Sequence, residues 1–276
     1  MAETGQMMKG KRGLVMGVAN DHSIAWGIAR AVAHAGGDVA FTYQSDAQLK
    51  RLKPLAASIK SDIVMPCDVE DDAQIDAAFD TLNRTWHGLD FVVHAMAFSS
   101  RDELKGRYVN TSRDNFTHSM AVSCYSFTAV AQRAIKLMKQ GGSLLTLTYL
   151  GSQKVTPNYN VMGVAKAGLE ASVRYLAADL GPDRIRVNAI SAGPMRTLAG
   201  SVIGESRSVY RWNKHHSPLK MSIELEHVGN AALYLLSDMS TGVTGEIHYV
   251  DAGFNVVSMP SSTELASYVA SCGDDA

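Results

Sequence analysis

Tyr149, Tyr159 and Lys166 fall in one short run, T-L-T-Y-L-G-S-Q-K-V-T-P-N-Y-N-V-M-G-V-A-K, which carries the most chemical capability per residue in this chain. A phenol donates a hydrogen bond to an oxygen that is gaining negative charge, and a nearby ammonium lowers the cost of that charge. Tyr159 and Lys166 are seven residues apart. On an α-helix that separation returns nearly to the same face, about 10 Å further along the axis. The spacing therefore predicts one helix that turns both groups into one pocket, with the ammonium making the phenol a better donor. Two unrelated surface side chains would share the same spacing, so the decision rests with the elements around them.

Those elements alternate. Short β-branched runs at 13–17, 38–43, 62–66, 89–95, 143–148, 186–190 and 246–250 read as strands. Helical periodicity joins Ile24, Ile28, Val32 and Ala35, and again Ile75, Phe79, Leu82 and Trp86, with Gly88 as a stop. Further helical patterns cover 127–138, then Leu169, Val173, Leu176 and Leu180, and last Val228, Ala231, Leu235 and Leu236. Alternating strands and helices imply parallel pairing through right-handed crossovers. The expected fold is α/β: a single-domain, Rossmann-like, doubly wound parallel sheet of seven strands with helices on both faces, spanning 1–276. Leu14-Val15-Met16 and Phe91-Val92-Val93 are wholly apolar, as strands covered on both faces must be. Two segments read as irregular. Residues 195–219 form a long connection suited to a lid, and 261–276 a polar, loose tail.

Hydrophobic residues make up 46% of the 276 and charged residues 19%, enough for a large core, and the net charge of −1 argues against a nucleic-acid binder. Cys67, Cys124 and Cys272 are too scattered for a disulfide framework or a metal site, which favours a reducing compartment. The first twelve residues lack the apolar core of a secretory signal, and no apolar run reaches membrane-spanning length. The expectation is a cytoplasmic protein that meets neither membrane nor nucleic acid. His215-His216 has no third ligand at metal spacing, so no metal site is expected.

In open parallel sheets, ligands bind beyond the carboxyl ends of the strands. The first strand ends in G-V-A-N-D-H-S-I-A-W-G, residues 17–27, which departs from the G-x-G-x-x-G fingerprint. It still offers a Gly turn at Gly17 and a helix start at Ser23, whose hydroxyl can join the Ile24 N–H and the helix dipole in holding a pyrophosphate. Gly27 is read as letting the helix sit close to the sheet. The second strand ends at Gln44, with no arginine beside it to take a ribose phosphate, which favours NADH over NADPH. Asp68 and Val69 end the third strand as an adenine site, or Asp68 is simply a helix N-cap. His94, Ala95 and Met96 end the fourth, with His94 read as structural.

These segments, with the tyrosine–lysine run, resemble the enoyl-[acyl-carrier-protein] reductases of the short-chain dehydrogenase/reductase superfamily. The resemblance extends through H-A-M-A-F-S, D-E-L-K-G-R-Y-V-N-T, S-A-G-P-M-R-T-L-A and V-D-A-G-F. Its specific sign is the wide gap between Tyr159 and Lys166, because ordinary superfamily members place the pair closer together. The resemblance implies NADH-dependent reduction of an enoyl thioester carried by acyl carrier protein in fatty-acid synthesis. It implies dinucleotide contacts at Gly17, Ser23, Ile24, Gln44, Asp68, Val69 and Met96, and at Met195, Arg196, Thr197, Leu198 and Ala199. Lys166 would hold the nicotinamide ribose, Tyr159 the thioester carbonyl, Tyr149 a second catalytic position, and the Ser99 backbone the substrate. Ile203 and Val209 would pack on the acyl chain. A homotetramer is also implied, with helices 127–138 and 169–180 as candidate interfaces. The basic cluster that some relatives show in the lid is thinned here: Arg207 is present, but Gly204 and Ser208 flank it, with Arg211 and Lys214 further on. Arg207 and Arg211 read as solvated charge ahead of a docking role toward the acidic carrier protein. The alternatives are a 3-oxoacyl or ketone reductase of the same superfamily, and a dinucleotide-binding module without turnover.

Overall fold

A computed structural model describes residues 5–197 and 206–272, and the side chains of all of these except 206, 207 and 272. Seven strands form one sheet: β1 Arg12–Met16, β2 Asp38–Tyr43, β3 Val64–Pro66, β4 Phe91–His94, β5 Gly142–Thr148, β6 Ile185–Ala192 and β7 Ile247–Val250. Their order is β3-β2-β1-β4-β5-β6-β7, and every neighbouring pair is parallel. All seven expected runs are strands; 38–43 keeps its bounds, and the other six shift at one or both ends by a residue or more. The order reverses between β1 and β4, so a crevice opens there at the carboxyl ends, where ligands settle in such sheets.

Helices cover both faces. One face carries α1 (Ile24–His34) and α2 (Asp46–Ser58), the other α3 (Asp72–Trp86). Next come α4 (Arg113–Met120) and α5 (Ser126–Ala134), joined by a wide π-type turn at Ala121–Tyr125, and the long α6 (Val161–Leu180). Two cores result. Phe41 and Phe91 are fully buried on the α1 side, and Ile75, Phe127 and Leu169 on the other. Each such side chain contributes about 1.5–3 kcal/mol by leaving water.

Three expectations change. The lid segment contains α7 (Ser206–His216), followed by α8 (Leu225–Leu236). The expected loose tail contains α9 (Ser262–Cys272), most of it exposed. A polar segment can fold into a helix when its few partners lie elsewhere in the chain, which local composition does not reveal. The role of Gly27 also differs. A Cβ there would lie 2.9 Å from Leu225 Cβ, so the missing side chain lets α1 cross α8 closely, not the sheet. No helix among the described residues is long and apolar enough to cross a membrane.

Candidate active site

Lys166 lies in α6, but Tyr159 does not. The helix begins at Val161, and Tyr159 stands just before it in a turn built by residues at positive φ, Asn158 at φ 58° and Asn160 at φ 38°. The single-helix premise is therefore corrected. Positive φ is uncommon outside glycine, and asparagine is among the residues that adopt it more often. Here the Asn160 amide also donates to the carbonyls of Glu103, Leu104 and Gly106, at 3.2, 3.1 and 3.3 Å. Those bonds offset a backbone cost of about 1–3 kcal/mol. The turn still sends the Tyr159 ring inward, where it is 6% exposed. Gly151 makes the room: a Cβ there would sit 2.4 Å from Tyr159 Cδ1.

Two cavities, of about 550 and 580 Å³, open beyond the sheet's carboxyl edge. Ile24, Ala97, Phe98, Thr148, Tyr159 and Thr197 line both. The first is lined also by Gly17, Ser23, Gln44, Asp68, Val69, Met96 and Lys166, and the second by Ser99, Tyr149, Met195 and Val209. The phenol of Tyr159 thus stands where the two spaces meet. Of the expected contacts, Arg196 goes elsewhere: its guanidinium lies over the Tyr210 ring of α7, 5.2 Å from the centroid. A cation is held there by an aromatic face, a pairing that periodicity cannot disclose. Leu198, Ala199, Ile203 and Gly204 lie outside the described residues, as does the Arg207 side chain.

The first cavity suits a dinucleotide. Gly17 has φ +94°, and a Cβ on it would approach the Ala95 carbonyl oxygen to 2.2 Å, so this turn demands glycine. Ser23 is the N-cap residue of α1, yet its hydroxyl accepts from Ala19 and Asn20 N–H and makes no cap bond. The helix start is left facing the cavity, as an anion site requires. Gln44 donates to Asp68 at 2.9 Å, and Glu70 lines the same end. Two carboxylates there repel a ribose phosphate and favour NADH. Asp68 is not the N-cap of α3; Asp71 is.

Electrostatics reverses part of the initial reading. Burial is the largest influence on Tyr159 and raises its pKa, with Tyr149 and Glu170 adding in the same direction. The phenol keeps its proton and acts as a neutral donor. Burial likewise holds the Lys166 ammonium down to about 8, against the pull of Cys124 and Glu170. Lys166 Nζ donates to the Leu147 carbonyl at 2.8 Å, leaving further donors for hydroxyls in the cavity. Tyr149 meets Tyr159 edge-on, with centroids 5.1 Å apart. Its pKa is also raised by burial. His94 is fully buried between Thr146 and Ser126 and held near 3 by desolvation, a structural neutral imidazole as expected.

Glu170 went unnoticed in the sequence. One turn beyond Lys166, it is 4% exposed and accepts from Thr148 and Ser152 hydroxyls on either side of Tyr149. It ties the Tyr149 segment to the helix that carries Lys166. Helical spacing from Lys166 was the available signal, but nothing local named its partners. Glu170→Ala should lower kcat about tenfold, a loss of roughly 1.4 kcal/mol in barrier terms. Glu170→Gln, which keeps an acceptor for both hydroxyls, should restore most of it. Steady-state kinetics on both variants tests this, and equal losses would remove the tether.

The family model described as "Enoyl-(Acyl carrier protein) reductase" matches residues 17–255. The enoyl-[acyl-carrier-protein] reductase [NADH] 2 of Rhizobium meliloti is 61% identical over 94% of this chain and 97% of its own length. A crystal structure of the homologue from Candidatus Liberibacter asiaticus superposes with a TM-score of 0.91 at 58% identity, covering 92% of this chain and 99% of that one. That of an Anaplasma phagocytophilum reductase in complex with NAD gives 0.91 at 56% identity, over 95% and 100%. The seven-stranded parallel sheet agrees with these likenesses, and the chain belongs to the enoyl-(acyl carrier protein) reductase family.

Proposed function

We propose that this enzyme reduces the trans-2 double bond of enoyl thioesters with NADH, the thioester being presented by acyl carrier protein in fatty-acid synthesis. The observation that carries the reading is the position of Tyr159 in the wall shared by both cavities, with Lys166 in the first and Tyr149 in the second. When bound, NADH supplies the hydride that adds to the β-carbon of the enoyl group. Negative charge then develops on the thioester oxygen as an enolate, and a proton from solvent, added at the α-carbon, completes the saturated thioester. Tyr159, neutral and held in place by packing, donates to that oxygen more strongly in the transition state than in the ground state. Lys166 orients the ribose hydroxyls and adds positive potential. Gly17, Ser23 and Ile24 receive the pyrophosphate, and Gln44 and Asp68 the adenosine end. Val209 of α7 contributes an apolar wall for the acyl chain.

Absorbance assays with NADH and NADPH against crotonyl, acetoacetyl and simple ketone substrates test the proposal. Oxidation of NADH with the crotonyl thioester is expected. Turnover confined to acetoacetyl or ketone substrates would favour the 3-oxoacyl or ketone reductase reading instead. For the quaternary state, a homotetramer joined through the outer faces of α5 and α6 is our reading. Tyr125 and Tyr175 stand 54% and 76% exposed on that side, and large exposed aromatics are enriched at subunit contacts.

The Lys166 value sets a pH dependence. The ammonium is charged below about 8 and loses its proton above it. The value of kcat/KM for NADH should therefore fall as pH rises through about 8, and this limb should vanish in a Lys166→Met variant. The folded value lies below the ordinary lysine value of 10.5, so the unfolded chain binds more protons across that window. The contribution of Lys166 to stability thus rises with pH between about 8 and 10.5.

A further inference from the structure

The end of α7 and the start of α9 bring together side chains that ligate metals. His215 Nε2 lies 2.6 Å from Glu264 Oε1, and the His215 and His216 rings meet edge-on with centroids 4.9 Å apart. One ligating atom from each of His215, His216 and Glu264 lies within 4.8 Å of the others. The expectation of no third ligand beside the histidine pair is thereby corrected, because the tail folds back to supply one.

Two of the three ligands are oriented from behind. His216 Nδ1 bonds to the Trp212 carbonyl at 2.9 Å, and its ring stacks on the Trp212 indole at 3.7 Å, which presents Nε2 outward. Glu264 Oε2 accepts from the Ser261 N–H and hydroxyl at 2.9 and 2.8 Å, leaving Oε1 to face the histidines. These bonds, with the neighbouring imidazoles, hold the Glu264 carboxyl down at about 2, so it is anionic throughout the neutral range. Two imidazole nitrogens and a carboxylate are the donor set of open zinc sites, and such outer bonds are what fixes ligands in them. His215, the exposed member of the three, can rotate to close the remaining distance.

We propose that His215, His216 and Glu264 bind one divalent transition-metal ion of the zinc class, with solvent completing its coordination, and that the ion fastens α9 to α7. None of the three lines either cavity, so this site is separate from the reaction centre. It bears on that centre through α7, which also carries Val209.

The test uses the untagged full chain stripped with chelator, since an affinity tag would itself bind the metal. Titration calorimetry with zinc chloride should show one saturable site per chain in the micromolar range. Glu264→Gln and His216→Ala should each weaken it at least tenfold. Hydrogen exchange over 262–272 should slow on adding zinc to the parent and stay unchanged in Glu264→Gln. Matching melting temperatures of the metal-free variants would show that the fold is retained, and Glu264→Gln keeps the side chain's shape as a second safeguard. Absence of saturable uptake, undiminished affinity in both variants, or uptake that leaves α9 exchange unaltered would each overturn the proposal.

Discussion

Tyr159→Phe should lower kcat by about two to three orders of magnitude while NADH affinity and melting temperature stay close to the parent's. The change deletes one oxygen. The ring would still fill the space left by Gly151 and keep its edge-on contact with Tyr149. Cofactor groups on the first cavity wall would be untouched. What disappears is a donor aimed at the oxygen that becomes negative. Such a donor strengthens as charge develops, so its loss falls on turnover more than on binding. Because burial holds the Tyr159 pKa up, the role lost is that of a neutral hydrogen-bond donor. The parent's rate should accordingly lack an alkaline limb from ionisation of this phenol. Single-turnover rates with a crotonyl thioester, alongside fluorescence titration with NADH, decide the matter. A turnover within twofold of the parent would transfer the role elsewhere, with Tyr149 the nearest candidate.

The second large effect separates function from stability. Lys166→Met should weaken NADH binding at least tenfold, about 1.4 kcal/mol or more, and should leave the melting temperature equal or raise it. Lys166 is 5% exposed, and desolvation is the main influence on its ammonium. A charge buried without a direct carboxylate partner costs folding free energy, and an apolar side chain of similar length removes that cost. The Leu147 carbonyl loses its partner in exchange, which limits the gain. Active sites commonly carry this kind of cost. Calorimetric melting and NADH titration on the same preparation give both numbers. Unchanged NADH affinity would remove Lys166 from the cofactor site, and a drop of many degrees would make it a structural residue.

Sequence by itself determined the sheet. All seven strands were legible, because a strand covered on both faces needs an apolar run and each run is bounded by an amphipathic helix. The turn at Gly17, the helix start at Ser23 and the strand-end positions of Gln44 and Asp68 were legible for a related reason, since strand ends carry the ligand in such sheets, whereas the hydrogen bond between Gln44 and Asp68 was not. Tertiary structure alone decided how the reactive groups are aimed. Helical spacing placed Tyr159 on α6, yet Asn158 and Asn160, both at positive φ, set it in a turn before the helix, held by carbonyls some fifty residues away in sequence. Glu170 became visible only with its partners, and Glu264 only when the tail folded back onto α7. Periodicity reports which face of an element avoids water, since that depends on neighbours a few residues away. Hydrogen bonds, buried charge and the meeting of distant side chains depend on groups brought together by folding, and no local pattern encodes them.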